Sequence, residues 1–213
     1  MEQKTKRFTL KEIKAKIYEK TKKSLTDDQV EILIRESVLY ILSEGDKGVI
    51  ITLPVAKRGK IDYYFLPIKD PEVIKKQKEG FKKLECFIGH NFNKQKINNF
   101  RPAINQILVF FNIKPYYADK ELKSGHILKD KIFPKIKLSD LSIFDITKLK
   151  ASVAIETGGA LIMERPVILL LKRGEKPPSD LEGLDRIEYK SNLDLCENLF
   201  DMLPGFLKEH KLL

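Results

Sequence analysis

Tryptophan is absent from this chain of 213 residues, which holds only two cysteines and three histidines. Cys86 and Cys196 lie far apart, with no Cys or His at ligand spacing, which excludes a disulfide framework and gives no zinc site. Both are expected to be buried thiols. Long hydrophobic runs are also missing. The apolar run Val167–Leu171 falls far short of the ~20 residues that a membrane-spanning helix needs, and Met1–Arg7 contains no signal-peptide apolar segment. These absences predict a cytoplasmic protein with no membrane partner. No P-loop, no Gly-x-Gly-x-x-Gly and no triad-like Ser, His and Asp spacing occurs, which disfavours a kinase, a dehydrogenase and a serine hydrolase. What the chain does have is charge: a net +10, half of it before residue 81 and half after. That spread reads first as a lysine-rich solvated surface; it is compatible with a general attraction to anions such as phosphates and shows no localised DNA footprint.

Two organisations succeed one another. Thr9-Leu-Lys-Glu12 and Thr26-Asp-Asp-Gln29 both read as capping boxes opening helices, the second carrying Val30, Leu33, Ile34, Val38, Ile41 and Leu42 on one face and stopping before Gly45. Strands are expected at 49–53 and 61–66, joined by a basic tip through Lys57, Arg58 and Lys60. Helices followed by such a hairpin resemble a winged-helix module over residues 8–67. In a DNA reader the 26–43 helix would enter the major groove. Its exposed face carries Asp27, Asp28, Glu31 and Glu36 against Arg35, which phosphate would repel, so an interaction or dimerisation role is favoured. The partner classes considered for residues 8–67 are therefore DNA and another protein. The module is assigned to residues 1–69, and residues 70–83 to a linker helix.

From Leu84 onward, short apolar strands alternate with helices, the pattern of a parallel sheet covered on both faces. Strands are expected at 84–88, around 113–117, at 141–145, at 166–171 and near 186–189, with a C-terminal helix over 192–210. Five strands with intervening helices predict a flavodoxin-like α/β domain over residues 84–213, a five-stranded parallel sheet with helices on both faces.

Ligands bind at the carboxyl edge of such sheets, so residues there are the site candidates. Gly89, His90 and Asn91 end the first strand, and Asp119 follows the second, ahead of Ser124 and Gly125 at the next helix start. Asp145 ends the third strand. Glu156 is placed where the following helix begins, with the macrodipole favouring its ionised form. Gly158 and Gly159 sit inside that helix, where each costs roughly 0.5–1 kcal/mol relative to Ala, so close approach of a ligand or a neighbouring element is expected. The plain alternatives are a capping role for Asp145, a helix-start role for Glu156 and a surface role for His90.

Phe87-Ile-Gly89, the helix led by Gly125 and Ile127, Asp145-Ile-Thr147, Glu156-x-Gly158-x-Ala160 and Arg165-Pro-Val-Ile-Leu169 together resemble the nucleoside 2-deoxyribosyltransferase family over most of residues 84–203. The resemblance implies that Glu156 is the nucleophile attacking the anomeric carbon and that Asp145 holds the sugar or base. No cofactor and no metal are expected, and the resemblance implies sites completed by a neighbouring subunit, hence a homo-oligomer. The same stretch is similar to bacterial TIR domains through Phe87-Ile-Gly-His90 and Asp119–Gly125, which implies cleavage of NAD by a glutamate. It lacks their Ser-Trp-Cys run before that glutamate. The ligand expected on either branch is a nucleoside, a nucleotide or NAD, cleaved or transferred at its N-glycosidic bond. The alternative is a non-catalytic nucleotide-sensing module.

Overall fold

A computed structural model describes residues 6–35, 48–54, 61–67, 82–94, 96–118 and 128–213. The expected linker helix falls almost wholly outside them, as do the hairpin tip and the second half of the 26–43 helix.

The described elements of the N-terminal part are β1 (Lys6–Phe8), α1 (Leu10–Thr21), α2 (Asp27–Arg35), β2 (Gly48–Pro54) and β3 (Ile61–Pro67). Both capping boxes form. The Thr9 side chain accepts from the Glu12 amide while the Glu12 carboxylate accepts from the Thr9 amide, and Thr26 and Gln29 exchange the same pair of bonds. The strands make an antiparallel sheet in the order β1-β3-β2, with Thr52 opposite Tyr63 and Arg7 opposite Tyr64. β1 is an addition to the sequence reading, since Lys-Arg-Phe is too short to show a period. Alternation sends Ile50, Tyr63 and Phe65 towards Ile13, Ile17, Val30 and Ile34 on the helices. It sends Ile51 and Leu66 the other way, into the core of the larger unit.

That unit contains β4 (Leu84–Gly89), a π-helical turn (Lys96–Phe100) running straight into α3 (Arg101–Phe110), β5 (Ile113–Tyr117), α4 (Leu128–Leu138) and β6 (Leu141–Asp145). It continues with α5 (Ala151–Ile162), β7 (Val167–Lys172), a short 3-10 turn (Ser179–Leu181), β8 (Arg186–Tyr189) and α6 (Asn192–Glu209). The strands form a fully parallel sheet in the order β5-β4-β6-β7-β8, the flavodoxin-like arrangement.

Helices cover both faces. On one, Cys86, Ile88, Ile143, Leu170 and Ile187 pack with Ile104 and Ile107 of α3 and Leu199 and Leu203 of α6. On the other, Phe87, Phe144 and Leu169 pack with Ile132 and Ile136 of α4 and Val153 and Ala160 of α5. The central strands are therefore apolar on successive residues, which is why Val167–Leu171 shows no alternation in the sequence. Both cysteines are free and buried, and burial pushes their thiols up, as befits packing residues rather than nucleophiles. Among the described residues no helix is long and apolar enough to cross a membrane.

Candidate functional site

At the carboxyl edge, β4 ends in Gly89 and β6 in Asp145, and the side chains that follow them are drawn inward. Phe144 and Asp145 are neighbours on one strand and so point to opposite faces. Phe144 goes to the α4/α5 side, and Asp145 to the α3/α6 side.

Glu156 belongs to the Phe144 side. It is only 4% exposed, and its carboxylate makes no hydrogen bond or ion pair among the described residues. The carboxylate lies against the end of β4: a Cβ placed on Gly89 would fall 2.9 Å from Glu156 Oε2 and 2.5 Å from the Phe144 ring. Glycine is what allows the carboxylate and the ring to close over the strand end together. The expected helix-start position is corrected here. α5 begins at Ala151, so Glu156 lies beyond its first turn, out of reach of the strongest macrodipole field. Burial dominates instead and pushes its carboxyl up to about 7.

The two glycines that follow divide their roles. A Cβ on Gly159 would lie 2.5 Å from the Phe133 ring, so Gly159 serves the packing of α5 against α4. A Cβ on Gly158 would meet nothing within 4 Å. Gly158, two residues after Glu156, thus has open space beside it.

Asp145 is 1% exposed and fully engaged. Its Oδ1 accepts from the Thr147 amide at 2.9 Å, its Oδ2 accepts from the Tyr189 hydroxyl at 3.3 Å, and Lys96 forms an ion pair with Oδ2. The turn-capping alternative is therefore present, with a buried lysine added to it. Lys96 comes from the π-helical turn, a geometry that re-aims side chains and recurs at functional sites. Burial, and then repulsion from the Lys172 ammonium, push the Lys96 amine down to about 8.

The Gly89-His90-Asn91 run splits in the same way. His90 is completely buried: its Nδ1–H donates to the Asn91 carbonyl at 2.9 Å and its Nε2 accepts from Arg101 Nε at 2.8 Å. Phe92, Phe100 and Tyr117 surround the ring edge-on. Its ring braces the loop from inside. Asn91 clamps the next loop, its amide donating to the carbonyls of Thr147 at 3.1 Å and Lys148 at 2.7 Å. Lys148 sits at φ 49°, a left-handed conformation that costs a non-glycine residue about 1 kcal/mol or more, and the clamp holds it there. The Asn91 Oδ1 is buried with no partner among the described residues, an acceptor left for a donor. Asp119, Ser124 and Gly125 lie outside the described residues.

A cavity of about 230 Å³ opens on the α3/α6 side of this edge, lined by Lys96, Asn99, Thr147, Lys172, Tyr189 and Lys190 together with Asn93, Phe100, Ser191 and Asn192. Sequence reasoning missed all ten. The signal was available: Lys172 ends β7, and Lys190 directly follows β8, so each apolar strand delivers a lysine to the same edge. A larger hollow of about 770 Å³ flanks β8, with Arg186 and Glu188 ion-paired in its wall, and it contains none of the expected site residues. No group of three or more His, Cys, Asp or Glu side chains among the described residues could hold a metal ion. A scan of protein-family models finds no match to this chain, and a search of curated proteins finds no significant one.

Proposed function

We propose that the α/β unit binds a nucleoside, a nucleotide or NAD and breaks or transfers its N-glycosidic bond, with Glu156 as the nucleophile. The observation that supports this is a buried carboxylate, unpartnered among the described residues, set against Gly89 at the carboxyl edge of a parallel sheet. Folding gains nothing from desolvating such a group, and functional sites are where that cost is met. In the reaction, a Glu156 carboxylate oxygen bonds to C1′ as the C1′–N bond breaks, the bonding pair leaving with the base nitrogen. Water or a second base then attacks C1′, the carboxylate departs with the electrons of the ester bond, and the proton shed by the incoming nucleophile goes to the released base or, where that base leaves neutral as from NAD, to solvent. A carboxyl near 7 is ionised in about half the molecules at neutral pH, and the cationic character of the opening sugar favours the ionised form.

In the sensing alternative the same pocket binds a nucleotide-like ligand without turnover and the N-terminal module passes the signal on; in either reading the Asp145 carboxylate is already engaged by Lys96, Tyr189 and the Thr147 amide. Incubating the full chain with a panel of nucleosides, nucleotides and NAD, and reading free base by chromatography, separates the two. Base release that falls by on the order of 10³-fold in Glu156→Gln supports the nucleophile. Saturable binding with no release by the wild type supports sensing. Release unchanged by the substitution rejects Glu156 and moves the test to Asp145. For residues 8–67 the proposed role remains contact with a protein or with DNA, and a homo-oligomer remains the proposed assembly.

A further inference from the structure

The cavity on the α3/α6 side has a chemistry of its own. Its lining brings three lysines from separate places in the chain, the π-helical turn, the end of β7 and the residue after β8, and includes no carboxylate. Asp145 lies buried beneath it and offsets the charge of Lys96. That leaves Lys172 and Lys190, neither of which ion-pairs with any described residue. Both are exposed lysines on the wall of one small cavity, so each can turn its ammonium to an anion that enters. Apart from Asp145, the Lys96 ammonium has no hydrogen-bond partner among the described residues, and it lies 4.7 Å from the centre of the Phe100 ring.

The remaining lining includes side chains able to donate to an oxyanion. Asn93 turns its Oδ1 to the Lys96 amide, leaving its amide group for another partner. Asn99, Asn192 and Ser191 add further polar side chains around the same space. Thr147 Oγ1 accepts from the Lys172 amide at 2.9 Å, tying the strand end from which that lysine projects to the loop after β6. At about 230 Å³ the cavity is below the size of a typical drug-like pocket and takes a phosphate group or a small phosphate ester rather than a whole dinucleotide.

We infer that this cavity is a binding site for a doubly charged phosphate group, held by Lys172 and Lys190 with Lys96 and the asparagine amides around it. The assignment does not depend on what Glu156 does. Where both hold, the ligand of the sheet edge is phosphorylated, a nucleotide rather than a nucleoside.

The test is isothermal titration of the full chain at low ionic strength with pyrophosphate, 5′-AMP and adenosine in parallel. Saturable pyrophosphate binding that weakens by about tenfold or more in the double variant Lys172→Gln, Lys190→Gln supports the site. Lys137→Gln, on the exposed side of α4, should leave it unchanged. Both lysines are at the rim, so the double variant should keep its fold, checked by circular dichroism. If 5′-AMP binds more tightly than pyrophosphate and adenosine alone does not bind, the phosphate is that of a nucleotide. If pyrophosphate is the tightest ligand, the site takes the free anion. No saturable binding by the wild type, or equal binding by the double variant and the wild type, overturns the assignment. Glu156→Gln should bind pyrophosphate as the wild type does, so loss of base release leaves this result standing.

Discussion

Glu156 Oε2 lies so close to the Gly89 backbone that a single methyl group on Gly89 would stand 2.9 Å from it. Residues 67 positions apart thereby form one contact, between the end of the first parallel strand and the middle of a helix two strands later. Gly89→Ala should push Glu156 and Phe144 aside and destabilise the protein by about 1–3 kcal/mol, the usual cost of overpacking. Urea unfolding would measure the loss. A neutral result would mean that the carboxylate swings away freely and that the contact does not hold it.

Removing the charge at Glu156 should have the opposite effect on stability, and only above acidic pH. Its folded carboxyl titrates near 7 against an ordinary value of 4.5, so the folded state binds more protons than the unfolded state between those values. Stability therefore falls as pH rises from 4.5 to 7 and levels off above. Glu156→Gln escapes that penalty. It should be more stable than the wild type by up to about 3 kcal/mol at pH 8, with the difference vanishing near pH 4.5. Thermal melts at the two pH values decide it, and a constant difference would assign the effect to packing.

The Lys96–Asp145 pair should behave as a unit. Asp145→Asn alone leaves a buried ammonium uncompensated and should cost about 3–5 kcal/mol, while Lys96→Met combined with Asp145→Asn should recover much of that. A double-mutant cycle by chemical denaturation gives the coupling. Strictly additive losses would show that Asp145 acts through the Thr147 amide and Tyr189 alone.

The adjacent glycines offer a sharper contrast, because helix propensity acts on both and sterics on one. Gly158→Ala has room and should stabilise α5 by roughly 0.5–1 kcal/mol, whereas Gly159→Ala meets the Phe133 ring and should destabilise by about 1–3 kcal/mol. If Gly158 lines the substrate's path, its alanine variant will be the more stable protein and the poorer ligand binder. Melting temperature and ligand titration on the same samples test both halves.

The sheet was legible in the sequence because buried parallel strands announce themselves as short β-branched and aromatic runs, and all five came within a residue or two of their places. Both capping boxes were legible because the motif is local. The site was legible only in part. Glu156 and Gly89 stand out by type and position, but their contact is a tertiary fact. A sequence also leaves open whether an acid at a strand end is free or already paired. Asp145 is paired through Lys96, which a π-helical turn carries into place, and no periodicity marks such a turn. His90 looked like a ligand group because it follows Gly89 at a strand end, yet Arg101 and three aromatic rings enclose it. Lys172 and Lys190 passed unnoticed because each is an ordinary surface lysine until the strand order brings them together.

The small antiparallel sheet, with Ile51 and Leu66 set into the same core as α3, has a consequence for how this protein can be cut. A fragment starting at Leu84 would contain every strand of the parallel sheet, yet it would lose the cover over α3 and bare the apolar side chains that now meet β2. Such a fragment should aggregate or self-associate where the full chain does not. Because β2 also touches the π-helical turn that carries Lys96, the amputation would loosen the anion cavity from behind, leaving its lining residues intact in sequence but poorly held in space.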